Sequence, residues 1–516
     1  MWLTQLLERN RQCFPDRTAL VDEQRSVTWA EFHDRTAELA RGLADLGIAR
    51  GDRVAVLSKD RVEVLETYFA LARLGALFVP LNHSLAVPEV IGIVERVGAV
   101  AVLGESELLD RHTELPGSVR MRLAFDKPAF EALGTLAAER DLPAVADTDP
   151  IAVLHTSATT GQAKGVTVDS GSFRAIALGW LVMARPTDDI VMVNCCPLYH
   201  GSMVVSLTYM AAGATVVLMP GFTPQRALSA VERHRATHLW MVPQMLRFVL
   251  QAKASHSTDL SSLREILYGA APMPLDVYAD AVHRLGCGFR QVYGMTEVGG
   301  PFVTLGPDEH PAPGDVTVRI PCGRVVPGMS ARAVDEGGRD LPCGEIGEIV
   351  VRGPGLMQGY WNDPEATREI TLDGWVRTGD LGFVDGQGRV SLVDRTKDVI
   401  IRAGQNVYPS EIERALMTHP AVRDTAVVGM PDEDYGEVPL AYVVLEPGAD
   451  AGPAELLAHV KGLLAPYKRP RRVEFIEQVP RNPAGTRKPR RSEDLRGFQL
   501  CARGELNPHA LSGTGT

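Results

Sequence analysis

His155-Thr156-Ser157-Ala158-Thr159-Thr160-Gly161-Gln162-Ala163-Lys164-Gly165 follows directly on the apolar run Ile151-Ala152-Val153-Leu154. Eleven positions hold four hydroxyl residues, two glycines and one lysine. A strand that empties into such a loop reads as a phosphate cradle. Hydroxyls and backbone N–H groups donate to phosphate oxygens, the glycines admit a close approach, and the lysine supplies charge. The spacing is not that of the common P-loop, which places two glycines five apart before Lys-Ser or Lys-Thr. Alone, the loop is ambiguous, because Ser/Thr/Gly-rich stretches are usually flexible connections.

Around this loop the pattern is β-α-β. Thr28-Trp29-Ala30-Glu31 reads as a capping box opening a helix that Gly47 closes. Arg53–Leu57 reads as a buried strand, 62–74 as a helix and 77–79 as the next strand. Further strands are expected at 100–103, 191–193, 215–219 and 238–242. Such alternation implies a largely parallel sheet flanked by helices. From about Pro321 short strands and Gly/Pro turns take over, including 349–351, Val376 and 389–393. After Asp394 a compact unit follows: a strand at 398–401, a helix capped by Ser410-Glu411-Ile412-Glu413, strands at 425–428 and 441–445, a helix at 453–464 and a strand at 472–476.

A chain of 516 residues exceeds one small core, so more than one domain is expected. The net charge of −11 leaves no basic excess to release counterions from a nucleic acid, which disfavours that partner. The basic run Arg487-Lys488-Pro489-Arg490-Arg491 reads as a solvated face. The cysteines at 13, 195, 196, 287, 322, 343 and 501 are odd in number and scattered, unlike a disulfide framework or a zinc site. Reduced thiols and the absence of a leader-like N-terminus or a membrane-length apolar run point to a cytoplasmic protein.

The loop at 155–165 resembles the signature of the adenylate-forming superfamily, which includes acyl-CoA synthetases, luciferases and the adenylation domains of peptide synthetases. Further matches stand in that family's order: Leu74-Gly75-Ala76 with Val79-Pro80-Leu81-Asn82, Pro197-Leu198-Tyr199-His200-Gly201, Tyr268-Gly269-Ala270-Ala271-Pro272 and Tyr293-Gly294-Met295-Thr296-Glu297. Gly344-Glu345-Ile346-Gly347-Glu348, Gly353, Gly359-Tyr360-Trp361, Trp375, Thr378-Gly379-Asp380, Asp394-Arg395-Thr396-Lys397-Asp398, Gly404-Gln405-Asn406 and Pro466-Tyr467-Lys468 complete the series. The resemblance implies an α/β fold: a large N-terminal domain of parallel-type sheets flanked by helices, with a small β subdomain (residues 1–394). A mobile α+β C-terminal lid domain (395–502) and a disordered tail (503–516) follow.

The implied reaction is ATP-dependent activation of a fatty or aromatic carboxylic acid as the acyl-adenylate. Transfer to coenzyme A then gives acyl-CoA, AMP and pyrophosphate. The expected ligands are ATP, Mg²⁺ and coenzyme A, and catalysis is positioning plus neutralisation of charge at the α-phosphate. Thr156, Ser157, Thr159, Thr160, Gly161 and Lys164 are expected to hold the β- and γ-phosphates. Gly269, Ala270, Ala271, Pro272 and Gly294 are expected along the nucleotide, with Tyr293 against adenine and Thr296 near the α-phosphate. Glu297 is the expected Mg²⁺ ligand, because a hard cation wants carboxylate oxygen. Asp380 and Arg395 are expected at the ribose, Lys397 at the hinge of the lid and Gly404 along the pantetheine tunnel.

The acyl pocket is expected around Tyr199, His200 and Tyr268, with Val205, Trp240, Met241 and Met245 suggesting an apolar cavity or simply core. No aspartate stands near Tyr199-His200 to pair with an amino group, which disfavours amino-acid substrates.

Two departures from the family pattern stand out. Ala158 replaces a glycine of the phosphate loop, at a cost of about 1 kcal/mol if that position needs positive φ. Pro480-Arg481-Asn482-Pro483-Ala484-Gly485 is followed by Thr486 where the family has its catalytic lysine, so a register slip to Lys488 or Arg487 is expected to serve. Three other readings stay open: transfer to a carrier-protein thiol, activation of an unusual acid such as nitrite, and a weakly catalytic nucleotide-binding regulator. A homodimer is equally open.

Overall fold

The structure is a computed structural model that describes residues 1–133, 141–156, 163–199, 201–312, 320–403 and 405–480. The chain divides into two compact units. The first comprises Met1–Arg332, Val350–Thr378 and Asp385–Val390, and the second Ala333–Ile349, Gly379–Val384 and Ser391–Thr516.

In the first unit the described strands form two sheets. One has the order Gly359–Tyr360, Gly165–Asp169, Pro150–His155, Leu77–Leu81, Arg53–Leu57, Ala101–Gly104, Met121–Ala124. Its pairs from Pro150–His155 onward are parallel, and the two at the other edge are antiparallel. The strands Arg53–Leu57 and Leu77–Leu81 are buried almost throughout, as parallel strands covered on both faces must be. The helix Val62–Leu74 between them carries burial nearly all round and closes on Gly75 at φ 69°. The Thr28 capping box forms as expected: Thr28 Oγ1 accepts from the Glu31 N–H, and the Glu31 carboxylate accepts from the Thr28 N–H.

The second sheet of this unit includes the run Gly323–Val325, Gly300–Leu305, Gly288–Met295, Glu265–Gly269, His238–Met241, Val191–Asn194, Thr215–Leu218, Thr18–Val21, Ser26–Thr28, with Gly323 and Arg324 pairing onward to Val390 and Arg389. Its middle is parallel, and both ends turn antiparallel. The sheets are therefore mixed, not parallel throughout. Leu239, Met241, Ile266, Tyr268 and Phe289 face one core, while the alternate residues His238, Trp240, Leu267 and Arg290 face the other side. The helix Ser202–Ala211 covers that second side, where Tyr209 meets His238 at 5.5 Å between ring centroids.

The second unit carries its own sheet, with Gly436–Leu445 between Val422–Asp432 and Ile400–Arg402, and its own apolar cluster around Ile412, Leu416, Ala441 and Leu456. Three local expectations change here. The strand expected at 398–401 starts at Ile400, because Thr396–Asp398 forms a tight turn and Ile400 is the first residue to pair, with Val407. The helix Pro409–Met417 is capped by Tyr408, not by Ser410. The Ser410 hydroxyl instead donates to the Val393 carbonyl at 2.7 Å, and its N–H donates to Asp394 at 3.0 Å, so a carboxylate from outside the helix satisfies the first turn. The last helix stops at Lys461, and the strands Val422–Asp432 and Gly436–Leu445 extend each other into a long hairpin. The Lys468 ammonium meets both Glu411 oxygens at 2.8 Å.

Candidate active site

The strands Pro150–His155 and Gly165–Asp169, which flank the hydroxyl-rich stretch in sequence, pair antiparallel with His155 opposite Gly165. Thr156 donates its N–H to the Lys164 carbonyl at 3.1 Å, which extends the pairing by one bond. Ser157, Ala158, Thr159, Thr160 and Gly161 lie outside the described residues. Gly359–Tyr360 pairs beside Val166–Thr167, and Trp361 donates its N–H to the Gly165 carbonyl at 2.7 Å. This pairing brings the Tyr360 ring under Lys164, with the ammonium 4.9 Å from the ring centroid.

Tyr360 also reaches the other sheet. Its hydroxyl donates to Glu297 Oε1 at 2.8 Å, while the Glu297 carbonyl accepts from the Met357 N–H at 2.9 Å. Glu297 is buried, in the turn Thr296–Val298 that follows Gly288–Met295. Burial first, and the Glu297 charge second, raise the Tyr360 hydroxyl well above its usual pKa, so it remains a proton donor to the carboxylate. Lys164, Tyr360 and Glu297 thus form one chain of contacts from the start of the strand Gly165–Asp169 to the acidic motif. Tyr360 carried no expected role; its place in Gly359-Tyr360-Trp361 was the only signal for it.

The glycines beside Glu297 are required by close approach. A Cβ on Gly294 would sit 2.2 Å from the Gly300 carbonyl oxygen, and one on Gly269 would sit 2.4 Å from that of Val292. Gly269 pairs with Val292, so the turn that begins at Ala270 leaves its strand next to Tyr293. Ala270 takes φ 65°, a left-handed value uncommon for a residue with a side chain and one that concentrates at functional turns. Ala271 is half-buried and Pro272 exposed. The half-buried Tyr293 ring packs on Phe302 at 5.1 Å, and the half-buried Thr296 accepts the Gly299 N–H on its carbonyl at 3.0 Å. These segments all leave the carboxyl ends of parallel strands, where open α/β sheets bind ligands.

On the acyl side, His200 lies outside the described residues. Tyr199 is buried edge-on to His83, with ring centroids 5.8 Å apart. Tyr268 is fully buried among the core residues, and its hydroxyl meets Gln291 at 3.0 Å and His310 at 2.9 Å. Met241 belongs to the same core and Met245 packs against it. Asp60, which follows the strand Arg53–Leu57, is a group the sequence did not single out. Its buried carboxyl accepts the Leu198 N–H at 3.0 and 3.2 Å, and burial pushes it up to about 8 against that hydrogen bond. Tyr199 is in turn pushed up to about 12, by burial first and then by Asp60 and Cys196.

Gly379 and Asp380, of the second unit, lie inside the strand Trp375–Val384, with Gly379 at φ 70° and its N–H donated to Glu348 at 3.2 Å. Arg395 Nε approaches Asp380 Oδ1 at 3.3 Å, so the sequence-separated pair does meet. The Asp394 carboxyl beside it is raised by burial and accepts the Arg395 and Ser410 N–H groups. Lys397 occupies the turn Thr396–Asp398. Gly404, Thr486, Arg487 and Lys488 lie outside the described residues.

Among the described residues no group of three or more His, Cys, Asp or Glu side chains is arranged to hold a metal ion. A single buried carboxylate oriented by a hydroxyl suits Mg²⁺, which binds through one or two carboxylates together with phosphate oxygens and water. No described helix is long and apolar enough to cross a membrane.

Strand ends of this kind, in a chain of two unequal units, suit a nucleotide-binding enzyme. The model of AMP-binding enzymes matches residues 7–361, and that of the AMP-binding enzyme C-terminal domain matches 411–486. The chain is 37% identical to a feruloyl-CoA synthase of an Amycolatopsis species over 92% of this chain and 95% of that protein. It is 35% identical to the fatty acid–[acyl-carrier-protein] ligase ScoC of Streptomyces coeruleorubidus over 94% of both. The ATP-bound structure of MatB from Rhodopseudomonas palustris superposes with a TM-score of 0.86 at 29% identity, covering 98% of this chain and all of that one. The chain belongs to the AMP-binding enzymes of the adenylate-forming superfamily, and within it to the acyl-CoA synthetase type. It is an AMP-forming acid–thiol ligase.

Proposed function

We propose that the chain joins a carboxylic acid to ATP as an acyl-adenylate and passes the acyl group to coenzyme A, with the residue roles that follow. The observation that best supports them is the contact chain Lys164–Tyr360–Glu297, which ties a phosphate-loop cation to a buried acid across two sheets. Thr156 and Lys164, with Ser157, Thr159, Thr160 and Gly161, are assigned to the β- and γ-phosphates. Tyr293, Gly294 and 269–272 are assigned to the base and its approach, and Thr296 to the α-phosphate. Asp380 and Arg395 are assigned to the ribose hydroxyls, for which an ionised carboxylate is a fitting double acceptor.

Glu297 is assigned to Mg²⁺, which when bound spreads the charge of the phosphates. The Tyr360 hydroxyl keeps that carboxylate aimed before ligand arrives, so less reorganisation is left for the reaction. Tyr199 and His200 are assigned to the mouth of the acyl pocket, with Tyr268 behind it. Lys397 is assigned to a hinge between 1–394 and a mobile lid at 395–502, Gly404 to the thiol path, and Lys488 or Arg487 to the charge that Thr486 lacks. A cytoplasmic location accords with the six described cysteines, all of them free thiols.

A second acceptor is favoured by one observation: ScoC is named as a ligase to acyl-carrier protein. Mass spectrometry of products from purified protein, ATP, Mg²⁺ and a panel of acids, with either coenzyme A or a phosphopantetheinylated carrier, tests both. Acyl-CoA with AMP release supports the first reading, and acyl-carrier alone supports the second. ATP binding with no AMP from any acid refutes both. A Lys488→Ala variant that adenylates at the wild-type rate removes that lysine from the scheme.

A further inference from the structure

Two side chains buried on the same face of the large sheet have hydrogen-bond donors with no partner. Asn194, wholly buried, uses its Oδ1 to accept the Cys196 N–H at 3.1 Å, which fixes the amide orientation and leaves Nδ2 unpaired. Trp240, only 5% exposed, leaves its indole Nε1 unpaired. The two residues are direct partners on adjacent parallel strands, so their side chains leave the same face at the same level. An orphaned buried donor costs about 1–3 kcal/mol, and native interiors keep few of them.

A third polar group joins them from the covering helix. The Ser206 hydroxyl is wholly buried and unpaired. Tyr209, one turn further along Ser202–Ala211, touches His238. The helix links the parallel strands Val191–Asn194 and Thr215–Leu218 and so runs antiparallel to them. Stepping back from Tyr209 to Ser206 climbs about 4.5 Å along the helix. Stepping from His238 to Trp240 climbs about 6.6 Å along the strand in the same direction. Ser206 therefore lies near the level of Trp240 and Asn194. The indole reaches diagonally toward the candidate site, since a Cβ on Gly269 would sit 3.3 Å from Trp240 Cη2.

We propose that Asn194 and Trp240, with Ser206, are specificity-determining residues that seat a neutral oxygen acceptor at the far end of the acid's tail. The inference rests on the acid-activating reading above and narrows its substrate class to acids with a distal hydroxyl, phenol or carbonyl oxygen. The donors are neutral, and the guanidinium of Arg290, on the same sheet face two strands away, is already held by both Glu265 oxygens at 2.7 and 3.2 Å. A second carboxylate there would be buried without a counter-charge, so a neutral oxygen is selected over an ionised one. An alkyl or methyl terminus would leave two or three polar groups unsatisfied, and sites built to hydrogen-bond an oxygen reject analogues that lack it.

The test uses acids matched in shape: para-hydroxyphenylpropanoate against para-methylphenylpropanoate. Calorimetric titration in the presence of a non-hydrolysable ATP analogue reads binding, and AMP release with ATP and coenzyme A reads turnover. The hydroxylated acid is expected to bind wild-type protein at least tenfold tighter. Trp240→Phe is expected to remove most of that preference by weakening the hydroxylated acid alone, and Asn194→Leu to act in the same sense. Equal binding of the two acids, or a preference for the methyl acid, overturns the inference and leaves acid activation standing. A hydroxyl preference without AMP from any acid upholds the inference and overturns the activation reading. The wild-type comparison needs no variant to fold, and Trp240→Phe retains an aromatic ring at that position.

Discussion

Asp60→Asn is expected to stabilise the protein, increasingly so as pH rises. The wild-type carboxyl is buried, only one backbone N–H, from Leu198, opposes the effect of burial, and it is raised from 3.8 to about 8. A raised acid binds its proton more tightly folded than unfolded. Between pH 3.8 and about 8 the folded state therefore holds more protons than the unfolded one, and stability falls as pH rises through that window. Each unit contributes about 1.36 kcal/mol, so wild type loses about 4 kcal/mol relative to the variant between pH 5 and pH 8. Asparagine is neutral throughout and still offers an oxygen to the Leu198 N–H. For a unit of this size 1 kcal/mol moves Tm by roughly 1–2 °C. The gap in Tm between Asp60→Asn and wild type, read by differential scanning fluorimetry, is thus expected to widen by about 4–8 °C from pH 5 to pH 8. A gap that stays constant, or narrows, refutes the assignment of Asp60 as a buried, proton-retaining carboxyl.

Three further outcomes follow from other contacts. Tyr360→Phe keeps the ring beneath Lys164 and removes the hydroxyl from Glu297; the charge-assisted bond lost is worth roughly 1.5–3 kcal/mol, so the adenylation rate should fall about 10- to 100-fold with a raised Mg²⁺ requirement in pyrophosphate exchange. Unchanged Mg²⁺ dependence would count against a role in aiming Glu297. Gly294→Ala places a Cβ 2.2 Å from a carbonyl oxygen, an overpacking that costs about 1–3 kcal/mol or more, and should lower Tm and nucleotide affinity together. Thr28→Ala removes the cap of Trp29–Asp45 and should cost about 1 kcal/mol by chemical denaturation, with activity intact.

The features legible in the chain before folding were local in origin. The helix 62–74, the strands flanking it and the Thr28 box depend on periodicity and on a reciprocal bond across three residues, so they are readable from a short window. The family followed from many short motifs in a common order, and with it the α/β class; that Arg395 meets Asp380 was shown only by the structure. Tertiary structure decided the rest, because each remaining feature depends on partners distant in the chain. Ser410 gave up its expected cap because Val393 and Asp394 reach it first. Tyr360 gained a role only when one strand pair set its ring under Lys164 and its hydroxyl against Glu297. Asp60 reads as an ordinary surface acid until burial beside Leu198 removes its water. Trp240 and Asn194 stand 46 positions apart, and only strand register makes them neighbours. Sequence patterns report the propensities of nearby residues; desolvation and hydrogen-bond partners across sheets are properties of the packed chain.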